Sequence, residues 1–289
     1  MMPRRDLLVV FVCLWWCPYG EVVLPVVDLS AEDAQDLLGS ALSDIGATVV
    51  VGDGVEDLGG VLEATRSVFY EKTRNGSFIG RGGESGGSGL VEAKEGFAFE
   101  AGSPSNDDRL ERAFGQLQKA ARRVVALSGL EGCCSKDAEA SALLRLFRYF
   151  PSDLGLERDV VGSAPHTDWG LLTFVVADAP GLEIFHENQW QPVAFHGPSL
   201  LLHAGDFMAM TKAAVRSPRH RVLVAPDRER FSLVFFYYPD SDALVPANHH
   251  SQEGLSLLQC QAADPTTCQG PTPPTFGELI KQKWQEVRR

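Results

Sequence analysis

Hydrophobic residues recur with two different periods along this chain, and the change comes near its middle. In the first half, apolar side chains repeat every three to four positions over residues 37–45, 58–69 and 106–128, which predicts three amphipathic helices. A short alternating strand at residues 24–29 precedes the first helix, and Gly129 is a typical residue to end the third. The first half of the chain is therefore predicted to be mainly helical.

From residue 141 the apolar period shortens to two. Eight short apolar runs are separated by turn residues, at Leu143–Phe150, Leu171–Ala177, Leu182–Phe185, Trp190–Phe195, Ser199–His203, Phe207–Met210, His220–Val224 and Phe231–Tyr238. Short strands at this spacing predict a β-sandwich, barrel or jelly roll rather than alternating β-α-β units. Turn residues at 186–189 and 226–229 predict two hairpins. A last amphipathic helix is predicted over Phe276–Val287.

These patterns divide the chain into four predicted regions. Residues 1–23 form a leader or signal segment, residues 24–130 a helical N-terminal region, residues 140–241 the β core, and residues 242–289 a C-terminal lid and helix. Seven glycines between residues 76 and 89 favour a loop next to a site over a regular element. The fold class that follows is mainly β with α.

The N-terminal segment leaves two interpretations open. Arg4 and Arg5 precede the apolar run Leu7–Cys17, which resembles a signal peptide, but Asp6 interrupts the basic region and no small-residue cleavage site follows. Eleven apolar residues are too few to span a bilayer, which needs about 20. The cytoplasm is the default location, and a secretory or organellar route follows if residues 1–20 act as a signal.

Charge narrows the range of partners. The 289 residues carry 26 Lys and Arg against 38 Asp and Glu, for a net charge of −12. A nucleic-acid-binding surface needs clustered cations to neutralise phosphates, so this class of partner is not expected. A small-molecule substrate is the expected partner.

One set of residues in the β half has the composition of a metal site. His166 and Asp168 are two apart at the start of a strand-like run, so both side chains can face the same side of a strand. His220 begins another run 54 residues later. Two imidazoles and one carboxylate on one face of an octahedral ion leave three positions open, which is the arrangement of non-haem Fe(II) oxygenases.

A second motif follows ten residues after His220. Arg230 and Ser232 share one face of a strongly apolar strand, and a guanidinium beside a hydroxyl can bind a carboxylate. An arginine buried in such a strand without an anion would be costly. Metal ligands beside a carboxylate-binding pair indicate a chelating 2-oxo acid.

With these residues the sequence resembles the Fe(II)/2-oxoglutarate dioxygenases of the isopenicillin N synthase-like group. The resemblance runs from Leu24 to the closing helix, and its matching segments are Leu24–Ser30, Lys94–Phe97, Leu144–Arg145 with Tyr149, His166–Thr173, Gly181–Glu183, Trp190–Val193, Gly205–Asp206, His220–Val222, Arg230–Ser232 and Phe276–Leu279 with Lys283–Trp284.

The resemblance implies a double-stranded β-helix (jelly-roll) core with an N-terminal helical region and a C-terminal helix. It implies Fe(II) held by His166, Asp168 and His220, and 2-oxoglutarate held by Arg230 and Ser232, with a further contact from Tyr149. The activity it implies is oxidation of a small organic substrate by O2, through hydroxylation, desaturation or ring closure, with release of succinate and CO2.

The resemblance departs from the family pattern at two positions. Phe147 and Phe150 stand where plant members usually have Asn and Pro, so the near carboxylate of 2-oxoglutarate is expected to be held differently. Two alternatives stay open: an Fe(II) oxidase of the same fold that does not use 2-oxoglutarate, and a catalytically silent jelly-roll binding module. Gly205–Asp206 is interpreted as a turn rather than as a base, and His203 as a structural residue or a surface group.

Overall fold

The structure is a computed structural model, and it describes residues 20–52, 55–74, 90–103, 107–134, 142–152, 159–246 and 275–287. Within these ranges there are five α-helices: α1 (Ala34–Asp44), α2 (Leu58–Arg74), α3 (Asp108–Leu127), α4 (Asp206–Thr211) and α5 (Phe276–Val287). The strands are β1 (Val26–Asp28), β2 (Ala47–Val51), β3 (Val91–Glu92), β4 (Lys94–Phe99), β5 (Ala142–Tyr149), β6 (Val160–Val161), β7 (Ser163–His166), β8 (Leu172–Ala177), β9 (Leu182–His186), β10 (Gln189–Pro192), β11 (Leu201–Ala204), β12 (His220–Val222) and β13 (Arg230–Tyr237).

Two sheets form the β core. The larger has seven strands in the order β1-β2-β11-β8-β13-β5-β4, and the smaller has four in the order β10-β9-β12-β7. Neighbouring strands are antiparallel in both sheets except for β1 and β2. Side chains from both sheets meet in small clusters between them, for example Val222 with Val234. The predicted jelly-roll core between an N-terminal helical region and a C-terminal helix is confirmed.

The seven-stranded sheet separates the hydrophobic core from the interior between the sheets. Alternate residues of its central strands, such as Phe174 on β8 and Phe235 on β13, pack with the first three helices in the main core. Because successive side chains on a strand point to opposite faces, the intervening residues face the other sheet. Polar residues on these strands therefore meet inside the barrel. None of the described helices is long and apolar enough to cross a bilayer.

Most of the elements predicted from periodicity are present, with two corrections. The run at Phe207–Met210 is not a strand but most of α4, and all four of its side chains are buried. A short apolar run that is buried on every side has no period that distinguishes the two structures. The turn at residues 226–229 does not form a hairpin, because it connects β12 in the smaller sheet with β13 in the larger. The turn at 186–189 does join paired strands, and Glu187 and Asn188 take the positive φ angles of a type I′ hairpin.

Several predicted features lie outside the described residues. These are the leader up to residue 19, the glycine-rich stretch at residues 76–89, and most of the predicted lid between residues 247 and 274.

The turn between β11 and α4 packs tightly against the loop that follows β7. A Cβ atom added to Gly205 would overlap with the carbonyl oxygen of Gly170 and would lie 3.1 Å from that of Asp168. The amide of Asp206 donates a 2.7 Å hydrogen bond to the same Asp168 carbonyl. The two backbone segments thus approach more closely than any residue larger than glycine allows.

We expect Gly205→Ala to destabilise the protein, because backbone atoms, unlike a flexible side chain, have little freedom to move away from the added methyl group. The cost should be about 2 kcal/mol or more, measured by urea unfolding. Gly115→Ala is the matched control, since Gly115 is exposed within α3 and its added methyl group meets nothing within 4 Å. That change should stabilise the protein by about 0.5–1 kcal/mol. Equal effects of the two substitutions would contradict the packing described here.

Candidate metal centre and carboxylate-binding site

Two histidines and an aspartate converge at one end of the barrel interior. His166 ends β7, His220 begins β12, and the two residues are opposite each other in the antiparallel pair formed by these strands. Asp168 follows two residues after His166. One ligand atom from each of the three side chains lies within 4.8 Å of the other two. The structure therefore brings together the three residues that the sequence predicts as a metal site.

Backbone contacts aim both histidines in the same way. Nδ1 of His166 is 2.7 Å from the carbonyl oxygen of Ala164, and Nδ1 of His220 is 3.0 Å from that of Pro218. A carbonyl oxygen only accepts, so Nδ1 is the donor in both rings, and in the neutral form of each ring Nε2 is the nitrogen with a lone pair for a metal. The two Nε2 atoms lie 3.6 Å and 4.0 Å from Oδ1 of Asp168. A neutral imidazole held by a carbonyl is the usual state of a histidine metal ligand.

Asp168 reaches the site by a different route from the one predicted. His166 ends its strand instead of opening one, and Asp168 lies in the loop that leads to β8. Gly205 packs against this loop, and the Asp206 amide donates a hydrogen bond to it. The turn of the loop directs the Asp168 carboxylate toward the histidines. Strand alternation therefore does not explain why the two residues meet.

A buried carboxylate holds the two ligand-bearing segments together. Asp206 accepts a 3.1 Å hydrogen bond from the Thr167 hydroxyl at Oδ2 and a 2.7 Å bond from the Ser217 hydroxyl at Oδ1. Thr167 lies between His166 and Asp168, and Ser217 is three residues before His220. Asp206 begins α4 and is fully buried. It is neither part of a simple turn nor directed at the metal site, and it fixes the distance between the loops.

An ion pair between Lys94 and Glu92 also holds β7 in place. The ammonium of Lys94 donates to the Ser163 hydroxyl at 3.0 Å and pairs with Glu92 at 3.1 Å. Glu92 also accepts a 2.8 Å hydrogen bond from the amide of Ala164. These contacts give Lys94, which the sequence marks only by resemblance, a structural role next to His166.

His203 lies at the metal site, although the sequence analysis interprets it as a structural residue or a surface group. Its ring is 4.5 Å from that of His220, and its Nδ1 lies 3.3 Å from Oδ2 of Asp168. It faces the interior because Leu202 and Ala204 on either side pack in the main core. The observation that places His203 at the site is its pairing with Thr173 between β11 and β8. The sequence alone does not give the register of these two strands.

Burial and charge act in opposite directions on these groups. Burial alone would raise the pKa of Asp168, but the neighbouring His220, His203 and His166 outweigh it and, with a hydrogen bond from Thr173, lower that pKa. Burial lowers the pKa of His203 to about 3, and the adjacent His220 adds to the effect. Near neutral pH the site thus combines an ionised Asp168, whose negative charge can bind a cation, with a neutral His203.

Arg230 lies at the other end of the interior, beside Ser232 and Tyr149. Its Nε donates to the Ala179 carbonyl at 3.0 Å, and its guanidinium lies 5.0 Å from the centre of the Tyr149 ring. The Ser232 hydroxyl donates to the Tyr149 hydroxyl at 3.3 Å. Arg230 is only 4% exposed, and its Nη1 has no hydrogen-bond partner among the described residues. The three residues predicted to bind a carboxylate are therefore together, with one donor free.

The two ends are connected along β8. Thr173 pairs with His203 at the metal end, and Ala177 pairs with Ser232 at the arginine end. Four residues of strand place these ends about 13 Å apart. A cavity beside Arg230 is lined mostly by small or apolar side chains, including those of Val175, Ala177, Leu182 and Leu201. The interior thus offers a mainly apolar space next to its anion-binding end.

The C-terminal helix borders the metal end. Trp284 on α5 packs edge-on against Trp169, with ring centres 5.4 Å apart, and Trp169 follows Asp168 directly. The guanidinium of Arg145 lies 5.5 Å from the centre of the Trp284 ring. The predicted closing helix is therefore in contact with the loop that carries Asp168.

Comparison with known proteins agrees with this site. Residues 141–239 match the family model described as the 2OG-Fe(II) oxygenase superfamily. This segment contains all six residues predicted to bind metal or 2-oxoglutarate.

Curated relatives include plant oxygenases. Gibberellin 2-beta-dioxygenase 8 of Arabidopsis thaliana is 36% identical over 104 residues, which cover 35% of this chain and 30% of that protein. Gibberellin 20 oxidase 2 of Arabidopsis thaliana is 26% identical over 277 residues, which cover 78% of this chain and 71% of the relative. The alignment with the higher identity, to gibberellin 2-beta-dioxygenase 8, thus spans less than a third of that protein's length.

Solved structures share the fold over most of the chain. JOX2 in complex with 2OG, Fe and JA superposes with a TM-score of 0.66 at 22% identity, covering 90% of this chain and 84% of JOX2. The dioxygenase for auxin oxidation (DAO) in rice gives a TM-score of 0.57 at 24% identity, covering 80% of this chain and 89% of the rice protein. The chain therefore shares the fold of these oxygenases, and its residues 141–239 match the model of the 2OG-Fe(II) oxygenase superfamily.

Proposed function

We propose that this protein is an Fe(II)- and 2-oxoglutarate-dependent dioxygenase that uses O2 to oxidise a small organic substrate, with succinate and CO2 as co-products. The observation that carries the proposal is a pair of buried charged groups of opposite sign at the two ends of one interior, each with an atom that has no hydrogen-bond partner among the described residues. Asp168 supplies the negative charge among three imidazoles, and Arg230 supplies the positive charge. A divalent cation chelated by a dicarboxylate compensates both.

The donor set fits a ferrous ion. Two imidazole nitrogens and one carboxylate oxygen on one side of a metal leave open positions on the other, which suits non-haem Fe(II) oxygenases. Structural zinc sites are instead closed by four protein ligands. Among the described residues, the metal-binding group contains no fourth protein ligand.

The carboxylate-binding end fits the far end of 2-oxoglutarate. A guanidinium with a free, buried N–H can donate to a carboxylate, and the Ser232 and Tyr149 hydroxyls next to it can add further hydrogen bonds. Burial strengthens these bonds because little water competes for the same groups. In the free protein, the unpaired Nη1 makes an anion-free state costly.

The protein's own groups bind, orient and exclude water. His166, Asp168 and His220 hold the iron, which when bound with 2-oxoglutarate activates O2 for attack on the substrate. Arg230, Ser232 and Tyr149 fix the orientation of 2-oxoglutarate from its far carboxylate. Apolar side chains such as Val175 and Leu201 line the cavity beside Arg230 and leave few polar groups there to hold water. Asp206 and Lys94 keep the ligand-bearing segments at a fixed spacing.

We expect anaerobic titration with Fe(II) and 2-oxoglutarate to produce the weak visible charge-transfer band of a chelated complex. His220→Ala should abolish the band, because one of three protein ligands is lost. Arg230→Ala should raise the half-saturating 2-oxoglutarate concentration roughly 10- to 100-fold, the value of hydrogen bonds to a charged group.

Matched controls are available for both substitutions. His196 and Arg228 are exposed, so His196→Ala and Arg228→Ala should leave the band and its titration unchanged. Iron binding through the three residues without a band, or turnover without succinate, would favour the oxidase of the same fold that does not use 2-oxoglutarate. A protein that binds no iron would contradict the metal site.

The metal-free protein should lose stability on mild acidification. Unfolded His203, with an ordinary pKa near 6.5, gains a proton as the pH falls from 7 to 5, whereas the folded residue, with a pKa of about 3, does not. The unfolded state then binds more protons, so the free energy of unfolding decreases as the pH falls. We expect about 2 kcal/mol of the loss to disappear in His203→Asn, measured by urea unfolding in chelator. An unchanged pH dependence in the variant would show that His203 is not buried in its neutral form.

A further inference from the structure

The two oxygens of the Asp168 carboxylate face different neighbours. Oδ1 lies 3.6 Å from Nε2 of His166 and 4.0 Å from Nε2 of His220, so it is on the side where a metal would bind. Oδ2 points away toward His203, whose Nδ1 is 3.3 Å distant. Among the described residues, Oδ2 has no hydrogen-bond partner. The carboxylate is thus oriented with one oxygen toward the metal side and the other toward a histidine.

His203 is an unusual residue to find in this position. Its side chain is 2% exposed, and neither ring nitrogen has a hydrogen-bond partner among the described residues. Buried polar groups in folded proteins are nearly always paired, and an unpaired one costs about 1–3 kcal/mol. His203 Nδ1 and Asp168 Oδ2 both lack a partner and lie next to each other, so each can satisfy the other.

We propose that His203 is a positioning residue that donates its Nδ1–H to Oδ2 of Asp168, so that Asp168 binds the metal through Oδ1 alone. The inference rests on the proposed function, because it concerns the same metal site. The observed 3.3 Å separation is within hydrogen-bonding distance, but the ring N–H is not aligned with Oδ2, so a small rotation of the His203 ring completes the bond.

This arrangement has a consequence for the number of open positions on the metal. Two histidines and a one-oxygen carboxylate leave three positions of an octahedral ion for exogenous ligands, enough for a two-point chelator and O2. A carboxylate that binds through both oxygens would occupy one of the three. By engaging Oδ2, His203 prevents that second bond. His203 itself is not a ligand in this geometry, since the group able to hold a metal comprises His166, Asp168 and His220.

The test uses Mn(II) alone as the probe, with two substitutions at position 203. His203→Asn keeps an N–H donor attached to Cγ, where Nδ1 is attached in histidine, and His203→Leu keeps the bulk without a donor. Mn(II) affinity is measured by isothermal titration calorimetry. The number of water molecules on the bound ion is measured by water-proton relaxation, and folding of each metal-free variant is checked by its urea unfolding transition.

We expect the wild-type protein and His203→Asn to bind Mn(II) within about threefold of each other and with three water ligands. His203→Leu should bind roughly 10- to 100-fold more weakly, the usual effect of removing a residue that orients a metal ligand. Its bound ion should carry two waters, because Asp168 is then free to use both oxygens.

Several outcomes would overturn the inference. One is a His203→Leu protein with wild-type Mn(II) affinity and water number. Another is a His203→Asn protein that binds Mn(II) as weakly as His203→Leu, which would give the ring a role other than hydrogen-bond donation. If His203→Leu does not fold, the wild-type water number decides, because two waters there already contradict a one-oxygen Asp168. A wild-type protein that binds no Mn(II) would instead contradict the proposed function, so the two failures are distinguishable.

Discussion

The negative charge of Asp168 is the feature on which the rest of the site depends. The carboxylate is 7% exposed inside a barrel, and burial disfavours its ionised form. The neighbouring histidines and a hydrogen bond from Thr173 outweigh burial and lower the pKa of Asp168, although His203 itself is neutral near pH 7. A buried charge without a partner is costly, so the barrel interior is built to receive a cation. Arg230, at the other end of the same interior, is a buried positive group that requires an anion.

The fold meets these requirements by fixing backbone segments on both sides of the ligands. Asp206 joins the loop after β7 to the loop before β12 through two hydroxyls, and Lys94 with Glu92 holds β7 from the N-terminal region. Gly205 allows the backbones of β11 and the Asp168 loop to approach closely. Each contact positions a ligand without touching the metal, which is the support that metal sites need for defined geometry.

The sequence carries much of this architecture in its periodicity and residue types. Helical spacing identifies the N-terminal helices, period-two runs identify most strands of the core, and the chemistry of His166, Asp168, His220 and Arg230 indicates metal and carboxylate binding. Local patterns fail to predict the structure of α4, because a fully buried run has no hydrophobic period. They also fail at residues 226–229, because that turn connects two different sheets. His203 could not be assigned because its position depends on the register of β11 against β8. The two hydroxyl contacts of Asp206 likewise join loops far apart in sequence.

In the proposed complex, iron bound by His166, Asp168 and His220 and a 2-oxoglutarate whose far carboxylate is bound by Arg230 together span the interior. A crystal structure of the protein grown anaerobically with Fe(II) and 2-oxoglutarate tests this arrangement most directly. The account predicts iron bonded to Nε2 of His166, Nε2 of His220 and Oδ1 of Asp168, and a carboxylate accepting from Nη1 of Arg230. Iron bound elsewhere, or 2-oxoglutarate bound with no contact to Arg230, would contradict it.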